Sequence, residues 1–404
     1  MIGIIADDVT GATDVAAALT RRGTSTMLMF DPLLRPTEVS GAAAVVVGLK
    51  TRTAETDDAV SLSLRALDSL RECGATRFYF KYCSTFDSTQ AGNIGPITDA
   101  LADALGVSVV VTTPSAPRHG RTVYRGHLFV GDTPLAETHM AEHPLTPMTD
   151  SSVLRLLQAQ TRHDVTLIGH DVVGQGENAV RMAIADSRRR GVRHLVSDTT
   201  VDADLTTLAA AVRDETLVAG SAGLVEHLVP MSPASRPKAR RAPSRTVIIA
   251  GSCSQRTLEQ IDRYVAAAGA HYRITAHRGS SEHTLAADAL KWFDGLPNGP
   301  ALFFSSRPPV RRASTPGDLS GLYERTAGQL ARGMLERGIR RLIVAGGETS
   351  GAVIDELGVR TTTVEEEVAP GVPWLRDTES GTALLLKSGN FGPPEMFAKE
   401  AGLT

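Results

Sequence analysis

Short apolar runs alternate with longer helix-like segments along the whole of this chain, and that rhythm leaves few folds open to it. Runs at 1–6, 43–49, 77–82, 107–112, 165–168 and 194–197 read as strands. Segments 11–22, 56–73, 93–105, 177–190 and 202–212 carry helical apolar spacing between or after them. Strands exchanged for helices in this way imply βαβ units and a mainly parallel sheet. One stretch, 122–134, breaks the pattern and reads as a hairpin. Residues 230–245 hold four prolines and a basic run without periodicity, which places a linker there. The alternation then restarts, with strands at 246–250, 301–304, 341–345 and 382–386 and helices at 255–267, 282–293, 319–337 and 351–357. The expectation is an α/β protein of two α/β domains with mainly parallel sheets, an N-terminal domain at 1–230, a linker at 231–245 and a C-terminal domain at 246–404. The active site is expected in the cleft between them.

Composition removes several function classes. A formal charge of −3 over 404 residues is too small for a nucleic-acid surface, and the basic run ending at Arg245 reads as solvated linker. Three cysteines, Cys73, Cys83 and Cys253, lie far apart without CxxC spacing, which argues against structural zinc and against a disulfide framework. A reducing compartment fits that usage. No apolar run approaches a membrane span and no secretory signal precedes the first strand, so a cytoplasmic protein is expected.

The chemistry concentrates where strands end, because ligands of open parallel sheets bind at the carboxyl ends of the strands. After the first strand come Asp7, Asp8, Thr10 and Gly11, two adjacent carboxylates at the start of a helix expected near Gly11. The plainer reading makes one of them only a cap, although Thr10 could cap unaided. After the strand 77–82 the segment from Lys81 to Thr89 packs a cation, an acid and several hydroxyls together. Arg118 and Arg121 follow a third strand, and with Lys81 they are the cations suited to hold a carboxylate, arginine by a bidentate pair. Cys83 reads as a buried or ligand-lining thiol rather than a nucleophile, since no base accompanies it in sequence. His139 and His143 stand at i, i+4 spacing, but the following Pro144 interrupts a helix and no zinc site is expected.

In the second half three strands run into glycine-rich, hydroxyl-rich turns: 251–254, 346–351 and 387–392. Glycine lets a backbone approach a ligand, and free N–H groups at a helix start favour phosphate. Neither the P-loop spacing nor GxGxxG is present. Three such turns in one domain point to a nucleotide or phosphate site, with Glu348 able to hold a metal or a ribose hydroxyl or simply to sit at a helix start. An acid-bearing domain together with a phosphate-binding one suits phosphoryl transfer to a small polar molecule. Asp8 is then the candidate base and Asp7 its neighbour, with the order of their roles open.

The motifs IADDVTGATDVAAAL, KYCSTFDST followed by GNIGP, APRHGRTVYRGHLFVGDTPLAET, GSCSQRTLEQ, GGETSGAV, PGVPW and LKSGNFG resemble, in order from residue 2 to about 398, the four-carbon acid sugar kinases. The resemblance implies an N-terminal domain that binds an acid sugar and a C-terminal domain that binds ATP, with Mg²⁺ as the accompanying ion. It implies substrate contacts from Asp7, Asp8, Lys81, Ser84, Thr85 and Arg118, and ATP contacts at Ser254, Gly346, Gly347, Glu348, Thr349 and Gly389. No metal ligands are assigned. KYCSTFDST–GNIGP and HMAEHPLTPMTDS look most like the branch that phosphorylates the 4-hydroxyl of 3-oxo-tetronate, with D-threonate and D-erythronate kinases as alternatives. A non-catalytic acid-sugar sensor is a further class, and a lyase with Lys81 as a Schiff base another. The partners expected are an acid sugar and ATP, without nucleic acid or membrane; pairing into a homodimer stays open.

Overall fold

The structure, a computed structural model, describes residues 1–142, 146–231, 245–277, 279–306 and 319–403. The chain divides into two compact units, Met1–Ser235 and Arg236–Thr404. Most of the expected linker, 232–244, lies outside the described residues, as does His143.

The first unit carries β1 (Ile2–Ala6), β2 (Thr26–Met29), β3 (Ala44–Gly48), β4 (Arg77–Lys81), β5 (Val110–Thr113), the hairpin strands β6 (Arg121–Tyr124), β7 (His127–Val130) and β8 (Thr133–Pro134), then β9 (Val165–Ile168), β10 (His194–Ser197) and β11 (Leu217–Gly220). Its sheet runs β2-β3-β1-β4-β11-β5-β10-β9, every pairing parallel, while β6–β8 form the separate antiparallel hairpin sheet expected at 122–134. Strands such as Ile2–Ala6 and Ala44–Gly48 are buried along their whole length, which is why they read as unbroken apolar runs. The helix Val9–Arg21 lies close on this sheet because both partners are small: a Cβ added at Gly48 would stand 2.8 Å from that of Ala12.

The second unit carries β12 (Thr246–Ala250), β13 (Ala270–Arg273), β14 (Ala301–Phe304), β15 (Arg341–Ala345), β16 (Thr361–Ala369), β17 (Val372–Asp377) and β18 (Ala383–Lys387). Its order is β13-β14-β12-β15-β18-β17-β16, parallel as far as β18 and antiparallel beyond it. The antiparallel pair is an addition to the expected fold: its outer strand spends Glu365, Glu366 and Glu367 along its length, which hides it from a search for apolar runs. Each unit has its own core, one gathered around Phe80, Tyr82 and Phe86 and the other around Tyr264, Trp374 and Phe397. Among the described residues no helix is long and apolar enough to cross a membrane.

Candidate active site

β1 sits between β3 and β4, with Ala6 level with both Gly48 and Lys81, so the residues that follow these three strands emerge side by side. The backbone stitches them together. Asp7 N–H donates to the Lys81 carbonyl at 3.0 Å, and the N–H groups of Thr51 and Arg52 donate to the Asp7 carbonyl at 3.0 and 3.2 Å. Over this platform the side chains form one ionic cluster. The Arg52 guanidinium holds the buried Asp7 carboxylate with two bonds of 2.9 Å and reaches Asp8 Oδ1 at 2.8 Å. Lys81 Nζ, also buried, lies 3.8 Å from the same Asp8 oxygen, and Asp87 Oδ2 stands 3.8 Å from Arg52.

The helix begins at Val9, two residues before the expected start, and Asp8 is its cap. Asp8 Oδ1 accepts from Gly11 N–H at 2.8 Å, and Oδ2 accepts from the Thr10 hydroxyl at 2.7 Å. Thr10 therefore serves the cap instead of being it. Burial pushes the Asp8 carboxyl upward, but Arg52, then Lys81 and the two hydrogen bonds, outweigh it and leave the group below the ordinary carboxylate range. Gly11 leaves room for the cluster: a Cβ at that position would stand 2.0 Å from Lys81 Nζ and 2.2 Å from Asp8 Oδ1, so one of them would have to shift.

Around the cluster, Thr85 donates to Asp87 at 2.6 Å and the Cys83 thiol lies 3.0 Å from the Thr85 hydroxyl. Burial, and secondarily Asp87, pushes that thiol up to about 11, so it stays protonated and lines the site, as its lack of a sequence-adjacent base suggested. Ser84 is half-buried in the same turn, which Phe86 closes at a φ of +51°. Asn93 donates to the Thr51 and Ala54 carbonyls at 2.8 Å each and so pins the loop that presents Arg52.

Of the expected substrate residues, Asp7, Asp8, Lys81 and Thr85 are thus drawn together with Arg52 between them. Arg118 is placed elsewhere. Its guanidinium meets Glu226 at 3.3 Å, the carboxylate that also holds Arg21, and its neighbours on the first helix are Asp14, Ala18 and Arg21 rather than Asp8. Arg52 escaped sequence reasoning although the strand-end rule that found Asp7 covers it equally, since it follows the run 43–49 by three residues.

In the second unit the three glycine-rich turns follow neighbouring strands, β12, β15 and β18, and touch. Gly251 and Ser252 N–H donate to the Ala345 carbonyl at 3.0 and 3.2 Å, and Gly346 N–H to the Lys387 carbonyl at 2.9 Å. A Cβ at Gly251 would come within 2.2 Å of the Thr349 hydroxyl, and one at Gly389 within 2.5 Å of Ser252 Oγ and 2.9 Å of Ser254 Oγ. Gly346 has a φ of +124°, a conformation that glycine alone adopts without strain. Ser254 caps the helix Gln255–Ala266 by accepting from Thr257 N–H at 3.3 Å, and Gly346 and Gly347 open the helix Gly347–Leu357 with Thr349 buried and Glu348 exposed in its first turn. The Thr257 hydroxyl donates to the Gly389 carbonyl at 2.9 Å. Two helix starts and close-set backbone make a cradle suited to phosphate. Among the described residues no group of three or more His, Cys, Asp or Glu side chains could hold a metal ion.

Two domain families match the chain: a sugar-binding N-terminal domain over residues 2–228 and a nucleotide-binding C-terminal domain over residues 247–397. A 3-oxo-tetronate kinase of Pseudomonas fluorescens is 41% identical over 100% of this chain and 96% of its own. A 3-oxo-tetronate kinase of Haemophilus influenzae is 37% identical over 100% of both chains. A crystal structure from Salmonella typhimurium LT2, provisionally described as a tRNA synthase, is 36% identical, covers 99% of this chain and 98% of its own, and superposes with a TM-score of 0.86. That structure bears on the fold.

Proposed function

The chain belongs to the four-carbon acid sugar kinase family and is an ATP-dependent kinase, and from that premise we propose that it transfers the terminal phosphoryl group of ATP to the 4-hydroxyl of 3-oxo-tetronate, giving 3-oxo-tetronate 4-phosphate and ADP. The observation that carries the reading is the convergence of three strand-end turns into one phosphate cradle in the nucleotide-binding unit. The choice of acid rests on what the relatives are named for.

In this reading the acid sugar lies against the cluster of Asp7, Asp8, Lys81, Thr85 and Ser84, with Arg52 fixing both carboxylates. Asp8 is the catalytic carboxylate. Its Oδ1 is taken by Gly11, Arg52 and Lys81, but Oδ2 has Thr10 as donor and keeps lone-pair capacity for the substrate hydroxyl. A carboxylate held ionised is a weak base, which suits a loose phosphoryl transfer where positioning of the nucleophile outweighs early proton removal. Asp7, locked bidentately, orients Arg52. Arg118 would have to leave Glu226 to reach the acid.

ATP lies on Ser254, Gly346, Gly347, Thr349 and Gly389. Mg²⁺ is read as accompanying its phosphates, since that ion is usually held by phosphate oxygens, waters and one or two carboxylates. Glu348, exposed at the helix start, would be the carboxylate to hold it, and the ion would neutralise charge on the phosphates. The same reading sets the enzyme in the cytoplasm. The test is a coupled ADP-release assay with ATP and Mg²⁺ across D- and L-3-oxo-tetronate, D- and L-threonate and D-erythronate. Preference for a 3-oxo acid is expected. Turnover confined to threonate or erythronate would overturn the choice of acid, and ATP binding without turnover on any of them would overturn the proposed substrate class.

A further inference from the structure

Lys387, the last residue of β18, has a side chain with no exposed surface, and its surroundings are unusual for a buried cation. Its Nζ donates to the Thr257 hydroxyl at 3.0 Å, the Ser388 carbonyl at 2.9 Å and the Gly389 carbonyl at 2.8 Å. All three acceptors are neutral, and all belong to turns of the cradle. Among the described residues no carboxylate forms an ion pair with it. Several acids on the elements packed around β18 have partners of their own: Glu259 pairs with Arg256, Glu400 with Arg341 and Trp374, and Glu365 with Arg376, while Glu348 on the helix Gly347–Leu357 is exposed. On the remaining side stands the Phe397 ring, 6.0 Å away. A buried ammonium hydrogen-bonded but without countercharge is costly, and the cost is relieved by an anion placed nearby.

We propose that Lys387 is a positioning residue for phosphoryl transfer, whose buried ammonium gathers the Ser388–Gly389 turn and Thr257 into the shape that takes the nucleotide phosphates, which in turn supply its missing countercharge. The inference rests on the kinase reading and adds to it a residue and a linkage. Each amine proton has a distinct partner, so the side chain sets the distance between the turn after β18 and the first turn of the helix Gln255–Ala266. Gly389, the residue whose missing Cβ lets the turn approach Ser252 and Ser254, is held from beneath by that same amine. Burial, reinforced by Arg256, brings the Lys387 ammonium down to about 7, so part of the population is neutral just above neutral pH. Phosphate arriving at the cradle favours the charged form and draws a proton from solution.

The experiment is titration calorimetry of MgADP into the whole protein at pH 7.5 in two buffers of different ionisation heat, together with steady-state kinetics. Wild type is expected to take up a fraction of a proton on binding, and Lys387→Met to lose that uptake. In Lys387→Met the KM for ATP is expected to rise about tenfold or more, equivalent to about 1.4 kcal/mol of binding. The KM for the acid should hold. Wild type that binds MgADP without proton uptake overturns the inference while leaving the kinase reading intact. Wild type that does not bind MgADP overturns the kinase reading itself. Should Lys387→Met fail to fold, Thr257→Val removes one acceptor and keeps the amine. It is expected to weaken MgADP binding and alter the uptake, and an unchanged uptake with unchanged affinity overturns the inference.

Discussion

The two units end a strand on a buried lysine, Lys81 as the last residue of β4 and Lys387 of β18, and surround it in opposite ways. Lys81 stands in a crowd of charge, with Asp8 at 3.8 Å and Arg52 binding Asp7 and Asp8 together. Lys387 meets a hydroxyl and two carbonyls and, among the described residues, no carboxylate. The first arrangement balances its charges internally and keeps a carboxylate ionised for a hydroxyl to lean on. The second sets a buried amine among neutral acceptors beneath close-set backbone, which in the proposed reading suits a polyphosphate. In the proposed reading, acceptor chemistry and donor binding are thus separated by electrostatics as well as by sequence.

The sharpest way to break this contrast is at Asp8. Asp8→Asn keeps a capping side chain, so the helix should survive, while kcat should fall by at least about a hundredfold, the usual range for loss of a positioned base. ATP affinity should change little, and near-normal turnover in the coupled assay would remove Asp8 from the chemistry. Arg52→Met probes the internal balance of the first unit. Leaving the buried Asp7 carboxylate without its bidentate partner should cost about 2 kcal/mol or more, after allowance for partial exposure of the guanidinium, read as a lowered Tm. A stability equal to wild type would show that the cluster is not mutually dependent.

Gly389→Ala addresses the other side of the comparison. The added methyl would stand 2.5 Å from Ser252 Oγ and 2.9 Å from Ser254 Oγ, so the cradle must open. The KM for ATP should rise about tenfold, as for loss of about 1.4 kcal/mol of binding, with the KM for the acid held. Equal effects on both substrates would mean that the turn serves the fold rather than the nucleotide.

The smallest effect expected is on acid stability. Because the Asp8 carboxyl is lower in the folded protein than its ordinary value of 3.8, its contribution is fully present above that value and is lost as pH falls through the lower folded one. Tm measured from pH 6 downward should therefore begin to drop near pH 4, less steeply in Asp8→Asn. A steeper drop in the variant would reverse the sign of the argument.

Much of this was legible in sequence for one reason: parallel strands buried on both faces must be unbroken apolar runs. Some strands that escaped have a wet face, such as Ala270–Arg273, whose alternate residues are exposed, and the glutamate-bearing Thr361–Ala369, while Leu217–Gly220 escaped although it is buried throughout. The start of the first helix was misplaced because two acids and a threonine all qualify as caps, and only backbone conformation selects Asp8. Asp7, Asp8, Lys81 and the glycine turns were singled out because strand ends carry ligand sites in such sheets, and each set is drawn together within its own unit. Arg118 obeyed that same rule and went to Glu226, 108 positions later.

By itself, then, the sequence determined the α/β class, the strand ends where chemistry gathers and the residue types available at each. Those are local properties, set by periodicity and by which side chains follow an apolar run. Tertiary structure decided which of those charges meet: that Arg52 gathers Asp7 and Asp8 while Arg118 pairs with Glu226, and that the Lys387 amine is buried among neutral acceptors. Pairing depends on which strands lie side by side, and no spacing along the chain encodes the distance between a guanidinium and a carboxylate brought together by the fold.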